Sequence, residues 1–279
     1  MTEFAEGGSL ADGRYTLERR LGVGGMAAVW LARDERLGRL VAIKALSDAL
    51  AGEEGYVRRF RREARVAAGL SHPNLVRVFD FGDDPRPYLV MEYVEGDTLA
   101  EQLREAEREL DCDGVIRGLL DALDHVHEAR IVHRDVKPAN VLIAIRDDRE
   151  HAFLTDFGVT LDRARTAELT QTGFAVGTAD YMSPEQARGV GVDARADIYA
   201  LGCVLYRALT GAVVYDRESD IDKMWAHIHA PAPALRDVRP DLPPALGEAV
   251  ERALAKAPED RQQTAGELAR ELRAAVAQS

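Results

Sequence analysis

Residues 131–142, Ile-Val-His-Arg-Asp-Val-Lys-Pro-Ala-Asn-Val-Leu, place an acid, a lysine and a carboxamide close together between two apolar runs. Loops carried on rigid elements are where catalytic groups concentrate. Asp135 can accept or orient a hydroxyl proton, Lys137 can neutralise a phosphoryl group in transfer, and Asn140 can ligate a hard cation. A charged turn stiffened by Pro138 is the bland alternative, and a pattern of this length argues against it. Downstream, Thr155-Asp156-Phe157-Gly158 offers a second acid. With Asn140, Asp156 would supply the few protein oxygens that magnesium prefers, phosphates and water completing its shell.

Upstream, residues 21–29 read Leu-Gly-Val-Gly-Gly-Met-Ala-Ala-Val, between two β-like runs. Gly22, Gly24 and Gly25 would let a backbone approach phosphate closely, although such a stretch alone reads more readily as a hairpin turn. It is not a Walker loop, because no Gly-Lys-Ser/Thr follows, nor does it run from a strand into a helix as a dinucleotide-binding turn does. Lys44 closes the apolar run Val41-Ala42-Ile43, where an isolated lysine is ordinarily a surface residue. Two-residue alternation puts Ala42 and Lys44 on one face of the strand, and Glu63, on the nearby helix, is a candidate partner. Only Lys44, Lys137, Lys223 and Lys256 are lysine among 36 basic residues. Two independent basic positions would both be lysine roughly once in 80 by that composition, so a compact ammonium is specified at Lys44 and Lys137.

The elements that must carry these groups follow from periodicity. Tyr15–Leu21, Ala28–Arg33, Leu40–Leu46, Leu75–Phe81 and Pro87–Met91 read as strands separated by Gly- or charge-rich turns. Val57, Phe60, Ala64 and Ala67 recur at helical spacing and mark one helix among them. After about Gly96 the texture turns helical. Val115, Ile116, Leu119, Leu120, Leu123 and Val126 form an apolar stripe, Ile198–Leu209 reads as a buried helix, and Leu246–Leu254 and Thr264–Val276 as further helices. Thr264 and Glu267 have the spacing of a capping box. A small sheet-rich lobe followed by a larger helical one is an α+β arrangement, its junction near Glu92–Glu95.

Composition bounds the function classes. With 46% apolar and 30% charged residues over 279, the chain can bury a core and is not of a disordered class. A net charge of −12 makes nucleic acid or an anionic lipid surface a poor partner for the chain as a whole. Cys112 and Cys203 form no disulfide framework or zinc spacing and suit a reducing compartment. No signal-peptide profile opens the sequence and no apolar run approaches a membrane span, so a cytoplasmic protein is expected. His125-x-His127 and His227-x-His229 are expected to be surface or capping histidines, because residues two apart on a helix face away from each other.

Three motifs together carry a family resemblance: Gly22-x-Gly24-Gly25-Met26-Ala27, His133-Arg134-Asp135-Val136-Lys137-Pro138-Ala139-Asn140 and the run 181–189, Tyr-Met-Ser-Pro-Glu-Gln-Ala-Arg-Gly. In order and spacing the chain resembles eukaryotic-like (Hanks-type) protein kinases from about Tyr15 to Val276, and among them the bacterial PknB-like Ser/Thr kinases. The resemblance implies a bilobal kinase fold: a lead-in over 1–13, an antiparallel-sheet N-lobe with one key helix over 14–94, and a mainly helical C-lobe over 95–279. It implies that Gly22, Val23, Gly24 and Gly25 cover the phosphates of ATP and that Lys44, held by Glu63, contacts the α- and β-phosphates. Leu21, Val29, Ala42 and Leu142 would sandwich adenine, Met91 would be the gatekeeper, and the backbone of Glu92 and Val94 would hydrogen-bond the base. Asp135 would be the catalytic acid–base, Lys137 the γ-phosphate lysine, and Asn140 and Asp156 the ligands of Mg²⁺ or Mn²⁺. Glu185 would pair with Arg261, and Asp197 would brace the catalytic loop. The chain departs from the pattern at Ala27, which replaces a third glycine, and at Ser183, which replaces alanine before Pro184-Glu185.

Serine or threonine of protein substrates is the expected acceptor, from Lys137 together with Thr178. Thr170 and Thr172, with Thr166, are the expected sites of activating autophosphorylation, since a phosphate there could pair with Arg134. Family resemblance also implies a homodimer through the N-lobe for phosphorylation in trans, and a place as the intracellular part of a longer membrane-anchored kinase. A catalytically inert binding module and a small-molecule phosphotransferase remain alternatives at this point. The intact Lys44, Glu63, Asp135, Asn140 and Asp156 speak against the first, and the Ser183-Pro184-Glu185 platform speaks against the second.

Overall fold

The structure, a computed structural model, describes residues 4–104, 112–157 and 178–277. It divides into two compact units, Met1–Glu95 and Gly96–Ser279.

The first unit is built on one antiparallel sheet of six strands in the order β1-β2-β3-β4-β6-β5. These are β1 (Ser9–Leu10), β2 (Tyr15–Val23), β3 (Ala27–Asp34), β4 (Arg39–Leu46), β5 (Val78–Gly82) and β6 (Tyr88–Glu92). Within the segment read as a lead-in, β1 pairs with β2 and Leu10 is buried, because a strand edge with an apolar residue to hide has β2 to add onto. Period-two alternation sorts the side chains of β4: Val41, Ile43 and Ala45 join Tyr15, Leu17, Trp30, Ala32, Tyr88 and Val90 in one core cluster. Ala42 and Lys44 are thereby left to the opposite face. Helix α1 (Glu54–Ala68) buries Phe60, Ala64 and Ala67, and Glu63 is buried among them. β5 begins at Val78, three residues later than the apolar pattern from Leu75 indicates.

The second unit holds the helices. In α2 (Cys112–Glu128) the stripe from Val115 to Val126 is buried. Beyond it lie α3 (Pro184–Ala187), α4 (Arg195–Thr210), α5 (Asp220–His229), α6 (Pro244–Ala253) and α7 (Ala265–Val276). α4 is buried continuously from Ala196 to Tyr206, as expected of a helix apolar on every side. Thr264 caps α7 by accepting from the Glu267 N–H. The return bond of the expected capping box goes instead from Gln263 N–H to Glu267 Oε2, one residue earlier.

This unit also contains a sheet that the sequence reading, helical after Gly96, does not anticipate. β7 (Asp97–Thr98), β8 (Val141–Arg146) and β9 (Arg149–Leu154) pair antiparallel in that order. Asp147 and Asp148 join β8 to β9 with φ of 49° and 60°, the two-residue turn that suits strand twist. Gly96 packs so closely on this sheet that a Cβ there would collide with the Ile143 carbonyl.

Candidate active site

The first unit gathers the expected nucleotide residues around β2, β3, β4 and β6. The turn 24–26 is closed by Gly24 N–H donating to the Ala27 carbonyl at 2.8 Å. None of Gly22, Gly24 and Gly25 lies among the glycines of positive φ, and a Cβ on Gly22 or Gly25 would meet nothing of the protein. Neither turn geometry nor internal packing therefore requires glycine at Gly22 or Gly25, and their smallness is left for something approaching from outside. That favours a phosphate cradle over a simple hairpin.

Register sets the neighbours of the lysine. Val29 pairs with Lys44 across β3 and β4, while Ala42 pairs with Met91 across β4 and β6. Lys44 Nζ donates to Glu63 Oε1 at 2.8 Å, with side-chain exposures of 13% and 9%. At the end of β6, Glu92 N–H donates to the Arg77 carbonyl. No main-chain hydrogen bond engages Val94 among the described residues, although the residue is buried. Leu21 is more than a third exposed and Val29 half-buried.

In the second unit the β8–β9 hairpin explains how residues distant in sequence converge. Val141 pairs with Leu154 at its open end, so Thr155 N–H reaches the Asn140 carbonyl at 3.0 Å. Asn140 leads into β8 and Asp156 leaves β9, and the hairpin brings these two stretches side by side. Leu142, half-buried, pairs with Phe153 on the same strands. Asp156 has a φ of 59°, an uncommon conformation for a residue with a side chain.

Asp135 is held at its N–H, its carbonyl and one carboxylate oxygen. Its N–H donates to His133 Nδ1, and Asn140 Nδ2 donates to both its carbonyl and its Oδ2, at 2.8 and 2.9 Å. Lys137 Nζ lies 2.9 Å from the same Oδ2 and donates to Thr178 Oγ1 at 3.0 Å. With both amide hydrogens of Asn140 on Asp135, its Oδ1 remains the acceptor with which it could ligate a cation. An amide oxygen from Asn140 and a carboxylate from Asp156 form a hard donor set, which suits magnesium or manganese with phosphate oxygens in the remaining positions.

Behind Asp135, His133 is fully buried and its Nε2–H donates to the Thr155 carbonyl. Burial pushes its imidazolium pKa below the ordinary value, so the ring is neutral, as its acceptance from the Asp135 N–H requires. Its ring lies 4.9 Å from that of Phe157. Asp197, buried on α4, accepts from His133 N–H and Arg134 N–H, each at 2.8 Å. Arg261 makes a two-pronged pair with Glu185 at 2.7 and 2.8 Å, wholly buried.

Two of the four histidines expected at the surface or in caps are corrected here. His127 donates from Nε2 to Asp197 Oδ2, and His227 is fully buried with Nδ1 2.8 Å from Tyr199 Oη. Only the three-dimensional neighbours reveal this, since a lone histidine on a helix carries no partner signal. Cys203 is buried and its thiol pKa pushed far up by that burial, which makes it inert. Gly158 and the candidate phosphosites Thr166, Thr170 and Thr172 lie outside the described residues.

The family model for the protein kinase domain matches residues 15–271. The chain belongs to the protein kinase family. It is 43% identical over 271 residues to the serine/threonine-protein kinase PknB of Mycolicibacterium smegmatis, covering 93% of this chain and 42% of that protein. The serine/threonine-protein kinase PrkC of Bacillus subtilis is 40% identical over 272 residues, covering 96% of this chain and 41% of that protein. Among solved structures, the PknI kinase domain of Mycobacterium tuberculosis matches with a TM-score of 0.77 at 30% identity, over 99% of this chain and 100% of that one. The chain thus spans about two fifths of the length of the curated relatives it matches. Protein kinases as a family use ATP and a divalent metal. No helix among the described residues of this kinase domain is long and apolar enough to cross a membrane.

Proposed function

We propose that the chain is a serine/threonine protein kinase domain that moves the γ-phosphate of ATP to hydroxyls of protein substrates with Mg²⁺ or Mn²⁺. The observation that carries this reading is the Lys137 ammonium bonded at once to Asp135 Oδ2 and Thr178 Oγ1. That arrangement places a positive charge beside a carboxylate able to receive a hydroxyl proton.

In the reaction a bond forms between the acceptor oxygen and the γ-phosphorus while the bond from phosphorus to the β,γ-bridging oxygen breaks, leaving ADP. The hydroxyl proton goes to Asp135, and Lys137 offsets charge on the transferring group. Asn140 and Asp156 would hold a divalent ion, whose charge would offset that of the phosphates. Lys44, fixed by Glu63, would hold the α- and β-phosphates, Gly22, Val23, Gly24 and Gly25 would cover them, and Val94 would read adenine. The transition state is loose and highly charged, so positioning and charge neutralisation supply most of the catalysis.

Activation is assigned to phosphorylation at Thr170 and Thr172, with Thr166 as a further site, through the charge that phosphate would offer Arg134. Association of two copies through the sheet-bearing unit, with phosphorylation in trans, and work at the cytoplasmic face of a membrane as part of a longer protein complete the proposal. Incubation with labelled ATP and Mg²⁺ should label the protein and a generic basic protein substrate, and peptide mapping should find phosphate on Thr170 or Thr172. No label above that of Asp135→Asn would refute the reading. Unchanged substrate turnover in Thr170→Ala/Thr172→Ala would refute the activation mechanism alone.

A further inference from the structure

Arg134, the residue before the catalytic carboxylate, sits in the left-handed region with φ of 68°. A non-glycine residue keeps such a conformation only where its surroundings hold it. The N–H of Arg134 is held by Asp197 Oδ1 at 2.8 Å. Its carbonyl accepts from Gln186 Nε2, also at 2.8 Å, from the third position of helix α3.

The other end of the Gln186 amide is occupied too. Its Oε1 accepts from Ser183 N–H at 3.1 Å and Ser183 Oγ–H at 2.9 Å, while Ser183 Oγ accepts from Gln186 N–H, forming a capping box. That box alone would be satisfied equally by glutamate, whose carboxylate accepts as well as an amide oxygen does. Only an amide can close the box and still donate to a carbonyl. The residue type is therefore accounted for by the bond to Arg134, not by the cap.

We infer that Gln186 is a positioning residue for phosphoryl transfer: it ties the Ser183-Pro184-Glu185 end of the activation segment to the backbone of Arg134 and so fixes the direction in which Asp135 presents its carboxylate. Glu185, the preceding residue, is locked to Arg261, so the helix that carries Gln186 is itself immobile. The carbonyl of Arg134 and the N–H of Asp135 belong to one rigid peptide unit, and a shift at the first rotates the second. That N–H donates to His133 Nδ1, so loss of the Gln186 bond also loosens the contact with the histidine behind Asp135. This inference rests on the reading of Asp135 as the catalytic group.

The test is Gln186→Glu, which keeps the acceptor for Ser183 and removes the donor to Arg134. Turnover of a peptide substrate at saturating ATP should fall roughly tenfold at pH 7.5, with KM for ATP unchanged, since small misplacements of a reacting group are costly. The ratio of variant to wild-type kcat should climb as pH is lowered towards 5.5, because the introduced carboxyl, once protonated, can donate to the carbonyl again. Hydrogen exchange at the 131–140 peptide should be faster in the variant at pH 7.5. A kcat within twofold of wild type, or a loss whose ratio stays flat with pH, would overturn the inference. If Gln186→Glu does not fold, Gln186→Met should show the same loss of kcat with KM preserved. A raised peptide KM at unchanged kcat would assign Gln186 to the substrate platform and overturn the proposal. Should the wild type transfer no phosphate at all, the reading of the site fails, and the exchange comparison alone decides for or against Gln186.

Discussion

Lys44 Nζ donates to Glu63 Oε1 at 2.8 Å, and both side chains are largely closed to water. A buried pair is held together because removing one partner strands the other charge in a poor solvent. Lys44→Met should abolish measurable transfer, and Glu63→Gln should lower it by at least about tenfold, while the protein stays folded by circular dichroism. Lys44→Arg should not rescue, because a planar guanidinium cannot take the place of a compact ammonium between Glu63 and two phosphates. Phosphate incorporation into a peptide reads all three, and activity in Lys44→Arg above a tenth of wild type would count against this role.

Asp135 accepts from Asn140 Nδ2 at 2.9 Å and faces Lys137 Nζ at 2.9 Å. Asp135→Asn keeps the size and removes the base, so kcat should drop by roughly 10²–10⁴-fold, the range typical of general-base loss. Affinity for ATP should change little, because nothing in the proposed base contact binds the nucleotide. Titration with a fluorescent ATP analogue alongside the kinetics separates the two. An equal loss of binding and turnover would move Asp135 from proton transfer to ground-state binding.

Much of this is legible in the sequence. The strands of the first unit other than β1 follow from alternation, and the pairing of Lys44 with Glu63 from a lysine on the face of β4 opposite the core cluster and a helix carrying Glu63. Asp135, Lys137 and Asn140 lie within one loop, so their meeting required no long-range information. The β8–β9 hairpin was missed because Val141–Ile145 is an apolar run without polar alternation, which periodicity cannot assign between strand and helix. That hairpin is what carries Asp156 to the side of Asn140, so the candidate metal-ligand pair could be named from motif but not placed. His127, His227 and Gln186 were illegible for a related reason: each takes its role from a partner more than 20 residues away, Asp197, Tyr199 and Arg134. A side chain whose function is one long-range bond leaves no local pattern.

Arg261 and Glu185 form a fully buried two-pronged pair, and Arg261 also donates to the carbonyls of Ala255, Arg195 and Lys256. Arg261→Met should therefore destabilise the protein by about 3–5 kcal/mol, chiefly because the Glu185 carboxylate is left alone in the interior. The double variant Arg261→Met/Glu185→Leu should recover part of that loss, since the stranded charge is gone. Urea unfolding of the two variants checks this. A double variant less stable than the single one would show that the hydrogen bonds to the three carbonyls, not the stranded charge, dominate.

His227 has its imidazolium pKa pushed down to about 3 by burial and by the nearby Lys256 ammonium. Its Nδ1 lies 2.8 Å from Tyr199 Oη in a fully buried setting, where a charged imidazolium near Lys256 is disfavoured. A folded pKa below the unfolded value near 6.5 means that the unfolded chain binds a proton the native state refuses. Stability from this group is therefore complete above about pH 6.5 and falls as the pH drops towards 3. At pH 5 the loss should be roughly 2 kcal/mol relative to pH 7, taking 1.36 kcal/mol for each pH unit below the unfolded value. His133, also shifted down by burial, acts in the same direction. Unfolding free energies measured between pH 5 and 7 should rise with pH, and His227→Gln should remove about one proton's worth of that slope. An unaltered slope in the variant would mean that His227 is protonated in the folded protein, against the neutral ring that its burial near Lys256 favours.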